Sequence, residues 1–172
     1  MRPWKNVATL VKTKGLQGRF VVRSAAGLPF LLEEGMQVAF VPPSIDTPRT
    51  GVVDFVRPID DDTYEVGFDS VTADTDVHGL VGCRCLIERS AIDESALVEA
   101  PGFWMGWNVE LVSGEEVGSV VDLIENPGQS LLEIERDHAN NAFIPVVDEF
   151  IVSIDEEAKR IVVDVPAGLL DL

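Results

Sequence analysis

Apolar and polar residues alternate with a period of two along most of this 172-residue chain. Residues 7–11, 20–23, 36–40, 52–56 and 64–68 are short runs rich in β-branched and aromatic side chains. Clusters of Gly, Pro and Asp separate them, which predicts strands at the spacing of a small barrel. Residues 72–80 are the one segment of this half that reads as a helix, and residues 80–88 return to strand. A second set lies at 107–111, 117–124, 131–135 and 142–146. Runs at 150–154 and 161–165 then flank the polar turn 155–160, which predicts a hairpin.

Between the two sets lies a small, polar stretch closed by Pro101-Gly102. Such composition marks a linker. The predicted architecture is therefore all-β: a barrel over residues 1–89, a linker over 90–101, and a second barrel over 102–172. Closing each sheet on itself removes the unpaired edges that short strands otherwise expose.

Charge changes the picture. Residues 1–32 hold Arg2, Lys5, Lys12, Lys14, Arg19 and Arg23 and no acid, whereas all thirty Asp and Glu lie in residues 33–172. The head is formally +6 and the remainder, with seven Lys/Arg, is −23. A net charge of −17 argues against wrapping nucleic acid by bulk attraction, which needs a basic surface. A basic end can meet phosphate and an acidic body can meet a basic protein. With 46% hydrophobic residues the chain is a folded protein rather than an acidic tail. No apolar run nears the roughly 18 residues of a membrane span and no signal-peptide core comes after Met1, so a cytoplasmic protein is expected.

Candidate chemistry is sparse. There is no nucleophile elbow, phosphate loop, zinc-protease helix or dinucleotide fingerprint, so no catalytic residue, metal or cofactor is expected. His78 and His138 lack an orienting carboxylate and a nucleophile in any motif. Cys83 and Cys85, two apart on a strand, face one way and are poorly placed to bridge each other. With His78 they offer three metal ligands and no fourth nearby, so small buried thiols are expected. The acidic runs 60–62 and 155–157 suit solvated turns better than a calcium loop. Lys14-Gly-Leu-Gln-Gly-Arg19 has two readings, a backbone that approaches phosphate or a tight turn between strands. Phe103, Trp104, Met105 and Trp107 also have two, packing between the barrels or a protein-binding patch.

The closing stretch runs Ile144-Pro-Val-Val-Asp-Glu-Phe-Ile-Val-Ser-Ile, then the 155–160 turn, then Ile161-Val-Val-Asp-Val-Pro-Ala-Gly-Leu-Leu-Asp-Leu172. It resembles the end of the bacterial ribosome maturation factor RimM family. Gly114-Glu-Glu-Val-Gly-Ser-Val-Val-Asp122 resembles the opening of that family's PRC barrel. Lys14-Gly-Leu-Gln-Gly-Arg-Phe-Val-Val22 resembles its amino-terminal His-Gly-Leu-x-Gly motif, and residues 68–82 sit where the family has a short helix before Leu-x-Gly. The resemblance implies a translation-factor-like barrel followed by a PRC barrel. It implies a non-enzymatic assembly factor, monomeric when free, that binds the immature 30S subunit near its head. There it would contact a basic, S19-type ribosomal protein and help 16S rRNA mature.

The chain departs from the family pattern in three places. Lys14 replaces the motif His, Ala8 stands where a Gly is usual, and the family's adjacent tyrosines at the start of the second barrel have no counterpart, since Tyr64 is the only Tyr. The expected rRNA contacts are Lys12, Lys14, Gly15, Gly18, Arg19 and Arg23. The expected ribosomal-protein contacts are Phe103, Trp104 and Trp107, offered for the tyrosines on chemistry alone. A PRC-barrel adaptor for some unrelated protein is the alternative, and a flavin- or metal-holding reductase-like barrel is a third.

Overall fold

The computed structural model describes residues 3–15 and 17–171. They divide into two compact units, residues 1–94 and 95–172. The first holds strands β1 (Trp4–Lys14), β2 (Arg19–Ser24), β3 (Gln37–Val41), β4 (Thr50–Pro58), β5 (Thr63–Phe68) and β6 (Arg84–Glu88), with one short helix, α1 (Val77–Leu80). They close in the order β1-β2-β5-β4-β3-β6, every neighbour antiparallel.

The inner positions are those the alternation marks: Leu10, Phe20, Val22, Val38, Phe40, Val66, Phe68, Cys85 and Ile87 are buried together. Two bulges in β1 break its strict period. One, between Asn6 and Ala8 against β6, leaves both Val7 and Ala8 fully buried. The other, between Leu10 and Lys12 against β2, turns Lys12 toward the same side as Val21. A bulge inserts one unpaired residue and so re-aims the side chains beyond it.

The expected helix over 72–80 shrinks to its last four residues. Thr72 N–H donates to the Thr75 hydroxyl at 2.9 Å, and the Asp76 carboxylate accepts from His78 N–H at 3.1 Å. These side chains satisfy local backbone groups that a helix would otherwise use, and the segment before Asp76 stays a turn.

The second unit contains β7 (Asn108–Leu111), β8 (Glu116–Asn126), β9 (Gln129–Glu135), β10 (Ala142–Pro145), β11 (Ile151–Asp155) and β12 (Arg160–Val163). They form a barrel-like six-stranded sheet ordered β10-β9-β8-β7-β12-β11, in which β7 and β12 pair in parallel. Val109, Val120, Leu132, Ile134, Ile144, Ile161 and Val163 are buried in it. The β11–β12 hairpin closes over the acidic turn, where Asp155 accepts from Ala158 N–H and from Arg160. The stretch expected as a linker carries 3₁₀ turns at Arg89–Ala91, Glu94–Leu97 and Pro101–Phe103.

Candidate nucleic-acid interface

Registration across β1, β2, β5 and β4 builds the site. Lys12 lies opposite Val21, Val21 opposite Glu65 and Glu65 opposite Arg57. In the adjoining row, Lys14 lies opposite Arg19 and Gly67 lies opposite Phe55. Directly paired residues project to the same face. Phe20, Val22 and Val66 turn inward, so this set turns outward.

At its centre the carboxylate of Glu65 is only 6% exposed, beneath three cations. Lys14 Nζ is 3.5 Å from one oxygen and Arg19 Nη1 donates to the other at 3.4 Å. Arg57 Nη2 also donates to Glu65. Burial pushes the Glu65 acid upward, but hydrogen bonds from Arg57 and Arg19, with the charges of Arg57 and Lys14, outweigh it and hold the group below 4.5. The cluster carries three positive charges against one negative. Arg19 continues past Glu65 to stack its guanidinium 3.6 Å from the centroid of Phe55. It is thus held by a carboxylate and an aromatic face together.

The expected rRNA contacts divide in the structure. Lys12, Lys14 and Arg19 lie on this outer face, while Arg23 stands further along β2 and pairs with Asp62 at 3.5 Å, both exposed. Lys5 is buried, and its ammonium is driven below the usual lysine range first by that burial and then by Arg89, so it is no part of an exposed edge. Arg2 and Leu16 lie outside the described residues. Gly15 and Gly18 take positive φ, +67° and +68°, in the β1–β2 turn. A Cβ on Gly18 would come within 2.9 Å of Val71 Cγ1, so the turn lies against the segment after β5. Sequence reasoning missed Arg57, Glu65 and Phe55. Each sits outside the basic head and joins it only through strand pairing.

Phe103, Trp104 and Trp107 are buried, 3%, 2% and 4% exposed. Trp104 Nε1 donates to the Val98 carbonyl at 2.6 Å, Phe103 meets Trp107 edge to face, and Lys159 Nζ stands 5.0 Å from the Trp107 ring centroid. The neighbouring Met105 is exposed. Cys83 Sγ donates to the Pro42 carbonyl, and among the described residues no His, Cys, Asp and Glu cluster could hold a metal ion. No helix among them is long and apolar enough to cross a membrane.

Residues 77–169 match the family model of the RimM PRC barrel domain. A ribosome maturation factor RimM of Streptomyces avermitilis is 30% identical over 173 residues, covering 96% of this chain and 88% of that protein. The chain belongs to the RimM family. A RimM of Acidothermus cellulolyticus is 34% identical over 111 residues, 62% of this chain and 60% of its own length. A crystal structure of a putative 16S ribosomal RNA processing protein RimM from Pseudomonas aeruginosa is similar over 96% of this chain and 99% of that one, at 16% identity and a TM-score of 0.43. Family membership gives the two motifs a physical reading. Gly118, in the stretch that resembles the PRC-barrel opening, has φ +152°, and a Cβ there would sit 2.0 Å from the Glu135 carbonyl oxygen. Lys14 and Arg19, the ends of the amino-terminal motif, are two of the three cations on Glu65.

Proposed function

We propose that this chain is a non-enzymatic, cytoplasmic assembly factor that binds the immature 30S subunit near its head and assists 16S rRNA maturation. The first unit meets rRNA phosphate through Lys12, Lys14, Arg19 and Arg23, to which Arg57 is added. The second meets a basic ribosomal protein of the S19 type. The reading is carried by the match along 96% of the chain to a ribosome maturation factor. Charge supports the division of labour. Residues 95–172 hold sixteen Asp/Glu and three Lys/Arg, a formal −13, whereas residues 1–94 hold fourteen acids and ten cations. A body so acidic selects and steers a cationic protein, while affinity rests on a few anchors. With Phe103, Trp104 and Trp107 buried, those anchors fall to exposed residues of the same unit such as Met105, Val121, Phe143 and Val152.

Co-sedimentation with immature small subunits across a salt series tests this. The wild-type chain should travel with the subunits at low salt. Lys14→Glu with Arg19→Glu should weaken the association and reduce the slope of log affinity against log salt by about one per lost phosphate contact. A wild-type chain that stays at the top of the gradient at low salt would overturn the reading.

A further inference from the structure

Beside the Glu65 cluster, the β1–β2 turn and the segment after β5 enclose a groove of about 470 Å³. This lies within the roughly 300–1,000 Å³ typical of clefts that take small ligands. Its lining mixes apolar and polar groups. Val71 and Val77 supply apolar surface, while Thr13, Gln17, Thr75 and His78 offer donors and acceptors. Arg19 borders this groove, and also a smaller one of about 220 Å³ that reaches Asp54, Phe55 and Gly67. Gly18 and Val71, in close approach, are common to both.

We propose that the larger groove takes an unpaired base from a single-stranded segment of RNA, with the adjoining phosphate held by Arg19 and Lys14. The proposal rests on the rRNA reading above and names the form of RNA that the site selects. A duplex keeps its bases stacked and offers only its backbone and groove edges, whereas an unstacked base presents a flat apolar face and a hydrogen-bonding edge. A cleft with an apolar part, a polar wall and a cationic rim meets all three features of a nucleotide. Arg19 is already fixed by Glu65 and Phe55, so little of its freedom is lost on binding. Asp74 and Asp76 are exposed on the same segment as the lining residues Ala73, Thr75 and Val77, with Asp76 turned to the His78 N–H. Acids on that segment disfavour phosphate beside it and leave the Arg19 border of the groove for the backbone. His78 offers an aromatic plane for stacking.

The test uses the full chain and a mixed-sequence RNA 10-mer with 2-aminopurine at a central position, free or annealed to its complement. The single strand should bind about tenfold more tightly than the duplex, a difference of about 1.4 kcal/mol, and the 2-aminopurine emission should change on binding. Ala73→Trp, an exposed substitution on the groove lining, should bring single-strand affinity down to the duplex level and leave duplex affinity unchanged. His78→Ala should lower single-strand affinity alone, so the two variants do not share a folding defect. Equal affinity for the two RNAs, no binding of the single strand, or an Ala73→Trp chain that keeps its preference would each overturn the proposal. If the chain still co-sediments with immature subunits in those cases, the assembly-factor reading stands and only the groove fails.

Discussion

The guanidinium carbon of Arg19 lies 3.6 Å from the centre of the Phe55 ring. Gly67, directly opposite Phe55 across the β4–β5 pair, leaves the space over which the arginine reaches. A Cβ at Gly67 would come within 2.6 Å of Asp54 Oδ1, 3.2 Å of Phe55 Cβ and 3.7 Å of Arg19 Cγ. The side chain that rims the groove is therefore placed by a residue that has no side chain at all.

Gly67→Val should crowd Phe55 and lift Arg19 from its ring. Overpacking of this kind costs about 1–3 kcal/mol. A lower urea midpoint with an unchanged slope is expected, together with weaker RNA binding. Unchanged RNA affinity would show that the stacked position of Arg19 does not matter for contact.

Glu65 ties stability to acid pH. Its folded-state acidity is strengthened relative to the ordinary value of 4.5, so it stabilises the fold fully above that value and loses this contribution as pH falls through the lower, folded value. Glu65→Gln should reduce stability at neutral pH, where Lys14, Arg19 and Arg57 are left without their counter-charge. It should also flatten the acid limb of stability against pH. Urea titrations from pH 7 down to pH 3 check both, and parallel acid limbs for the two proteins would refute the assignment.

At Gly118 the neighbour is backbone and cannot swing aside. A methyl group there meets the Glu135 carbonyl on the adjacent strand, at 2.0 Å from the oxygen. Gly118→Ala should cost at least about 3 kcal/mol, through the clash and the positive φ together. Thermal unfolding of the variant measures the loss. A change below about 1 kcal/mol would mean that β8 and β9 separate there without penalty.

Trp104 is the largest fully buried side chain, with its indole N–H satisfied by Val98. Trp104→Ala should destabilise by about 3–5 kcal/mol. Trp104→Phe, which keeps most of the apolar area and strands the Val98 carbonyl, should cost about 1–3 kcal/mol. Denaturant unfolding monitored by fluorescence separates these from a surface role, in which both variants would keep wild-type stability and lose only partner binding.

The two cysteines should be inert in the native protein. Burial pushes the Cys85 thiol up to about 12, with Cys83 adding to the effect, and burial also raises Cys83. At pH 8 neither is then appreciably thiolate, the reactive form. A maleimide reagent should label both only after unfolding. Prompt labelling of Cys85 in the native state would contradict its burial.

Most strands were legible because a half-buried strand writes its two faces into alternate positions. The runs expected at 7–11, 36–40, 64–68 and 131–135 all fall within or across observed strands. The helix over 72–80 was overread because Thr72, Thr75 and Asp76 bind their own backbone, an effect invisible to apolar periodicity. The aromatic group at 103–107 could be recognised as a cluster, but composition does not say which side of an aromatic faces water.

By itself the sequence determined the all-β class, the split between a basic head and an acidic remainder, and the motifs of the RimM family, because strand periodicity, charge and turn glycines are local properties. Only the tertiary structure decided that the basic head works with residues outside it. Glu65, Arg57 and Phe55 reach Lys14 and Arg19 by pairing of β4 and β5 with β2 and β1, Arg19 and Glu65 being 46 positions apart. Register between strands is set by how the whole barrel closes over its core, and no local stretch of residues carries that information.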